Sequence, residues 1–309
     1  MVWDGVIASY LFLAGMGAGA FALAAIAGWV KPDAVKFRMI GYIIAPVAVG
    51  VGTVLLMVDA RAGLANPLRF FGLLTNLSSV MAWGVLVLIA FMIVSIVSLV
   101  LMARKHATPR VFDVIGIVLA VCVAMYTGLL LGNAPGFPLW NPLVLPLLFL
   151  VSSASTGFAV VLLVAHFMKL KDGEDIAFLR KTGLMLPVVE AVLIVVLLGV
   201  VGIANGGLPA ASASVVNLVS GSYAPLFWIG LVAIGLVLPF CIELMQKARA
   251  GKGGSVGAVA TAGGATAETQ VAASSGLAIA GEVGVLVGGF LLRFLIIMAA
   301  VSVTMGAVL

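Results

Sequence analysis

SSVMAWGVLVLIAFMIVSIVSLVLMARKHATPR, Ser78 to Arg110, decides the fold. From Ser78 to Met102 it carries no charge; Arg104, Lys105 and Arg110 follow at once. A continuous apolar run of about 20 residues crosses a hydrocarbon core of ~30 Å as one helix. It lacks the alternation of a membrane β-strand. Seven runs of the same kind flank it: Val6–Val30, Phe37–Val58, Val111–Leu131, Trp140–Met168, Leu184–Ala204, Ala224–Met245 and Ser275–Thr304. The expected fold is therefore all-α, a polytopic membrane protein with eight transmembrane helices in bundles.

Charge sets the expected orientation. The first, third, fifth and seventh connections hold Lys31, Lys36 and Arg38; Arg104, Lys105 and Arg110; Lys169, Lys171, Arg180 and Lys181; and Lys247, Arg249 and Lys252. The ends and the even connections hold only Arg61 and Arg69. By the positive-inside rule the odd connections are cytoplasmic and both termini extracytoplasmic. Asp4 precedes the first run and the basic residues follow it, which suits an uncleaved helix rather than a signal peptide.

The chain is 64% hydrophobic and 9% charged, with a mean hydropathy of +1.32. The net charge of +5 is then the cytoplasmic excess of Lys and Arg, not a nucleic-acid footprint. Residues 1–309 read as a single transmembrane domain in the inner membrane of a bacterium or archaeon. The longest connection, 248–274, is Gly, Ala, Ser and Thr with almost no large apolar residue, and reads as a flexible cytoplasmic loop. Cys122 and Cys241 lie inside apolar runs and read as small buried side chains. Two histidines, His106 and His166, leave a haem held by His166 and a methionine as one alternative.

Intramembrane polar residues are costly and mark interiors or cavities. At the outer level stand Tyr10 in the first run, Asp59 ending the second and Tyr126 near the end of the fourth. Arg61, Arg69, Asn76, Asn133 and Asn141 lie at the same level. Together they offer hydrogen-bond donors and a proton acceptor to a small polar head on an apolar body, as in a quinone. Deeper lie Glu190, Glu282 and Arg293. Glu282 and Arg293 share a helix face about 16 Å apart, so Glu190 is the candidate partner for Arg293. These three read either as structural pairs or as a proton path. Gly15 and Gly19 form a GxxxG pair, and Ser152, Ser155 and Thr156 one polar face, both suited to helix packing. Trp3, Trp83, Trp140 and Trp228 fall near the outer boundary, where interfacial anchors sit.

Five blocks resemble one family in order and spacing. They are YLFLAGMGAGAFAL from Tyr10, NPLRFFGLL from Asn66, SVMAWG from Ser79, YTGLLLG from Tyr126 and PLWNPLVLPLLFLVSSASTG from Pro138. The family is that of the NrfD/polysulfide reductase membrane subunits. The resemblance covers the first five helices; the last three match in number and hydropathy.

The resemblance implies a haem-free anchor that exchanges electrons between a quinol, menaquinol or ubiquinol, and an extracytoplasmic subunit. That partner is ferredoxin-like with 4Fe–4S clusters, joined to a molybdopterin or multihaem catalytic subunit. It places the quinone site on the first and fourth helices, at Tyr10 and Tyr126. The best-known anchor of the family has a histidine where Tyr10 stands. A phenol donates to a carbonyl but carries protons poorly near pH 7, which moves the acid–base role to Asp59. The expected quinone ligands are thus Tyr10, Asp59, Arg61, Tyr126 and Asn133, with Asp59 and Tyr126 in the chemistry. A secondary transporter of a small solute is the rival reading, although no four-helix repeat supports it.

Overall fold

The computed structural model describes residues 5–59, 79–134, 136–170, 177–204, 207–252 and 267–303; within these, the side chains of 58–59, 177–182, 184, 204, 247–252 and 267–275 lie outside the description. All regular structure among the described residues is helical. The helices are α1 (Gly5–Val30), α2 (Val35–Asp59), α3 (Val80–Lys105), α4 (Arg110–Gly132) and α5 (Val144–Phe167). After them come α6 (Ala177–Gly199, continued by the π-helical turn Val200–Ala204) and the short α7 (Pro209–Val219). The last two are α8 (π-helical Leu226–Val237 running into α-helical Leu238–Lys252) and α9 (Ala267–Met298). Among the described residues, eight helices are long and apolar enough to cross a membrane. Lipid offers no hydrogen-bond partners, so each span must satisfy its own backbone. That requirement overrides Pro46 inside α2 and Pro187 inside α6.

The ends follow local chemistry. Pro109 stands at the N-cap of α4, where its missing N–H costs nothing. His106 and Lys169 adopt left-handed backbones just past α3 and α5, with φ of 54° and 53°. Their N–H groups return to the carbonyls of Met102 and His166. Arg104 and Lys105 complement the carbonyl end of α3.

α1 is the hub. It packs on α2, α4, α5 and α9, while α3 closes a first bundle with α2 and α4. α5, α6, α8 and α9 form a second group. The hub is possible because α1 is rich in Gly and Ala, so backbones meet directly. A Cβ added at Gly19 would strike the Ser153 carbonyl and Gly157, and one at Gly157 would strike Gly19 and Ala20. The GxxxG pair therefore faces α5: Gly15 meets Ser153, and Gly19 meets Ser153 and Gly157. α8 and α9 make a similar approach at Gly235 and Gly288.

Several expectations need correction. α5 starts at Val144 rather than Trp140, because Pro138 and Pro142 break the helix there. Trp140 is buried (3% exposed) and donates its Nε1–H to the Ile296 carbonyl at 2.8 Å, so it is no interfacial anchor. Trp83 and Trp228 are exposed, and Trp3 lies outside the described residues. Cys122 and Cys241 are exposed on the helix surfaces rather than buried. The last span, Gly276–Met298, stops short of Thr304; its helix already begins at Ala267 and α8 reaches Lys252, so helix takes both ends of the segment 248–274. Beyond α9 the backbone runs as a strap: the Val301 N–H donates to Ser214 Oγ, and the Val303 N–H to the Gly136 carbonyl, each at 2.9 Å. Asn217 reaches the Ala299 carbonyl at 3.4 Å. The strap thus ties α7 and the α4–α5 connection to α9.

Candidate functional site

Three buried clusters of polar side chains stand out, at two ends and the middle of the bundle. The first lies where α1 begins and α2 and α4 end. Tyr10 is 1% exposed and packs at the level of Gly52 of α2. Tyr126 of α4 lies within electrostatic reach of Tyr10. Its ring tip rests on Gly84 of α3, where any Cβ would overlap Cζ and the hydroxyl. Tyr126 keeps a partly exposed edge. Neither hydroxyl has a hydrogen-bond partner among the described residues. The two phenols thus lie within electrostatic reach of each other, Tyr10 buried and Tyr126 partly exposed. Asn133, one residue beyond α4, is exposed and donates Nδ2 to its own Leu129 carbonyl at 3.3 Å. Asp59 is the last residue of α2; its side chain, and all of Arg61, Arg69 and Asn76, lie outside the described residues.

The second cluster occupies the middle of the bundle. Arg293 of α9 is fully buried. Its Nη1 donates to Ser152 Oγ at 3.0 Å and to the Gly289 carbonyl at 2.9 Å; Nη2 donates to Ser153 Oγ at 2.9 Å. Its Nε has no partner among the described residues. The guanidinium also lies 5.1 Å from the Phe149 ring centroid and 5.9 Å from that of Phe12, within cation–π range. Gly15 provides the room: a Cβ there would come within 2.7 Å of Nη2. Glu190 of α6 is buried, hydrogen-bonds Ser152 and supplies the opposing charge. One hydroxyl therefore accepts from Arg293 and donates to Glu190, which its single proton and two lone pairs allow. Ser152 and Ser153 thus act between helices, whereas Thr156 turns back on its own Ser152 carbonyl at 2.8 Å. Glu282 is not at this centre. It faces Glu243 of α8, which also borders Gly183 of α6.

The third cluster lies at the opposite end of the first bundle from the phenols, and sequence reasoning missed it. Tyr42 of α2 and Thr108 of the α3–α4 connection both donate to Asp113 Oδ1 at 2.7 Å. Arg38 Nη2 donates to Thr108 Oγ1 at 3.2 Å, and Nη1 to the Pro32 carbonyl at 3.3 Å. Arg38, Tyr42 and Asp113 are buried. Here the tyrosine hydroxyl is spent inside the protein, in contrast with Tyr10 and Tyr126. An acid in a helix's first turn and a basic residue near a span's end are both ordinary, so Arg38 counted only toward orientation and Asp113 drew no notice.

These observations define a multi-pass helical membrane protein with two uncommitted phenols at one face and a compensated buried charge in its middle. Residues 1–268 match the family described as Polysulphide reductase, NrfD, and the protein belongs to that family. It is 34% identical over 270 residues to the polysulfide reductase C subunit of Wolinella succinogenes, a match spanning 79% of this sequence and 83% of that protein. It is 31% identical over 280 residues to a protein NrfD homolog of Haemophilus influenzae (81% and 85% covered). Protein NrfD of Escherichia coli is 28% identical over 273 residues (79% and 84%). The protein is accordingly a multi-pass integral protein of the bacterial inner membrane.

Proposed function

We propose that this protein is the quinol-binding membrane subunit of a multi-subunit respiratory reductase. The observation that carries this reading is the phenol pair: Tyr10 and Tyr126 lie within electrostatic reach of each other at one end of the bundle, with both hydroxyls unspent among the described residues. Two phenol donors at this depth suit the carbonyl or hydroxyl groups of a quinone ring, and the polyprenyl tail would stay in lipid. Menaquinol is the favoured ligand. Asp59, about 10 Å from the level of Gly52 by helical rise, would accept protons, with Arg61 and Asn133 at the rim.

Oxidation of the quinol releases two electrons and two protons. A ferredoxin-like partner with 4Fe–4S clusters, docked on the extracytoplasmic face, would take the electrons and supply them to a molybdopterin or multihaem catalytic subunit. The relative named for polysulfide reductase supports a place in such an assembly. The released protons would leave through Asp59, or exchange with the other face through Glu190, Glu282 and Arg293, with Ser152 linking Glu190 to Arg293.

The test is naphthoquinol oxidation by membranes holding the assembled complex. Tyr126→Phe removes one hydrogen bond to the ring and should lower kcat/KM by roughly 3- to 15-fold. Asp59→Asn should lower kcat by about 100-fold, the scale of a general base. Unchanged turnover in both variants would remove the site.

A further inference from the structure

Gly84 faces the hydroxyl end of a tyrosine that belongs to the proposed site. Elsewhere glycines make room for ordinary packing: Gly116 accepts the edge of Phe21, and Gly17 accepts Val49 and Ala48. At Gly84 the atoms in the missing Cβ position are Cζ, Cε1 and the hydroxyl of Tyr126. Gly84 is buried in the first full turn of α3, directly after the exposed Trp83. On the other side of the seat, Gly52 clears Tyr10 more loosely, with ring carbon Cδ2 3.5 Å from a built Cβ. α3 therefore fixes how deeply the Tyr126 hydroxyl sits, and α2 does not fix Tyr10 in the same way.

We infer that Gly84 is a positioning residue for quinol binding, acting through Tyr126 by giving its hydroxyl a seat in the backbone of α3. The inference rests on the reading of the phenol pair as the quinol site. The physical reason is distance. The Tyr126 hydroxyl is held by shape alone among the described residues, since no hydrogen bond locates it. A methyl group at position 84 occupies the space of the ring tip, so the ring must rotate or α3 must retreat. Either motion carries the donor away from Tyr10 and from any ligand that bridges the two hydroxyls. A methyl group at position 52 would meet the Tyr10 ring only at ordinary contact distance.

The experiment is a double-mutant cycle on naphthoquinol oxidation in membranes containing the full complex. The variants are Gly84→Ala, Tyr126→Leu and the pair. Leucine lacks all three atoms that fill the notch. Gly84→Ala alone is expected to lower kcat/KM for the quinol at least tenfold, chiefly through KM, on the order of what a displacement of ~1 Å costs. In the Tyr126→Leu background the same change is expected to cost less than twofold, because the seat is already empty.

If Gly84→Ala reduces the amount of inserted protein, the pair should restore it. Multiplying losses in the pair, or a failure of the pair to restore insertion, would overturn the positioning role and leave Gly84 a packing residue. Full quinol oxidation by Tyr126→Leu alone would instead defeat the reading of the site.

Discussion

The guanidinium of Arg293 and the carboxylate of Glu190 meet on a single hydroxyl, that of Ser152. α9 and α6 are joined through α5, and no member is redundant. Removing one charge leaves the other buried without its counterpart, at a cost of ~3–5 kcal/mol. Glu190→Gln and Arg293→Met should each lower the melting temperature of the detergent-solubilised protein. The double variant should be more stable than either single one. A double variant worse than both would show that the charges are held independently.

Asn133 and Tyr126 lie on one helix end but should differ in weight. Asn133 is exposed and already bonded to its own helix, so Asn133→Ala should change quinol turnover by less than about twofold. A loss from Asn133→Ala larger than that from Tyr126→Phe would shift the ligand toward the rim.

The cluster at the opposite end should be structural. Tyr42→Phe deletes one hydrogen bond and should cost about 1 kcal/mol. Asp113→Asn keeps an acceptor oxygen for the two hydroxyls but removes its charge, and should cost about 1–3 kcal/mol. Thermal denaturation of purified protein measures both. Turnover per folded complex should stay at the wild-type level.

Helix contact through glycine makes a further contrast. Gly19→Ala drives a methyl into the α5 backbone and should cost about 1–3 kcal/mol. Gly199→Ala has nothing within 4 Å and should be neutral or stabilising by up to ~1 kcal/mol. Equal melting temperatures for the two would contradict the packing of α1 on α5.

The spans were legible because span length and charge are compositional, and lipid forces any such run into a helix. The common level of Tyr10 and Tyr126 was legible too, since counting residues from a span end gives depth. What surrounds them was not. Gly84 and Gly52 matter through partners on other helices, and nothing in a single run announces which glycine faces which ring.

Trp140 misled because position near a boundary is all that sequence offers, whereas its burial depends on α9 lying beneath it. α7 was hidden by its Ser and Val content, and Pro209 at its start was the one signal it gave. Arg38 read only as one of the basic residues of the first connection, and Asp113 was passed over; only the fold of two connections around them makes them interior.

The strap at 299–303 has a consequence for biosynthesis. The residues that tie down Gly136 and Ser214 emerge from the ribosome after all eight spans. The α4–α5 connection and α7 therefore stay unfastened until residues 301–303 have been made, so any partner that reads this end meets its fastened shape only after the last span has been synthesised.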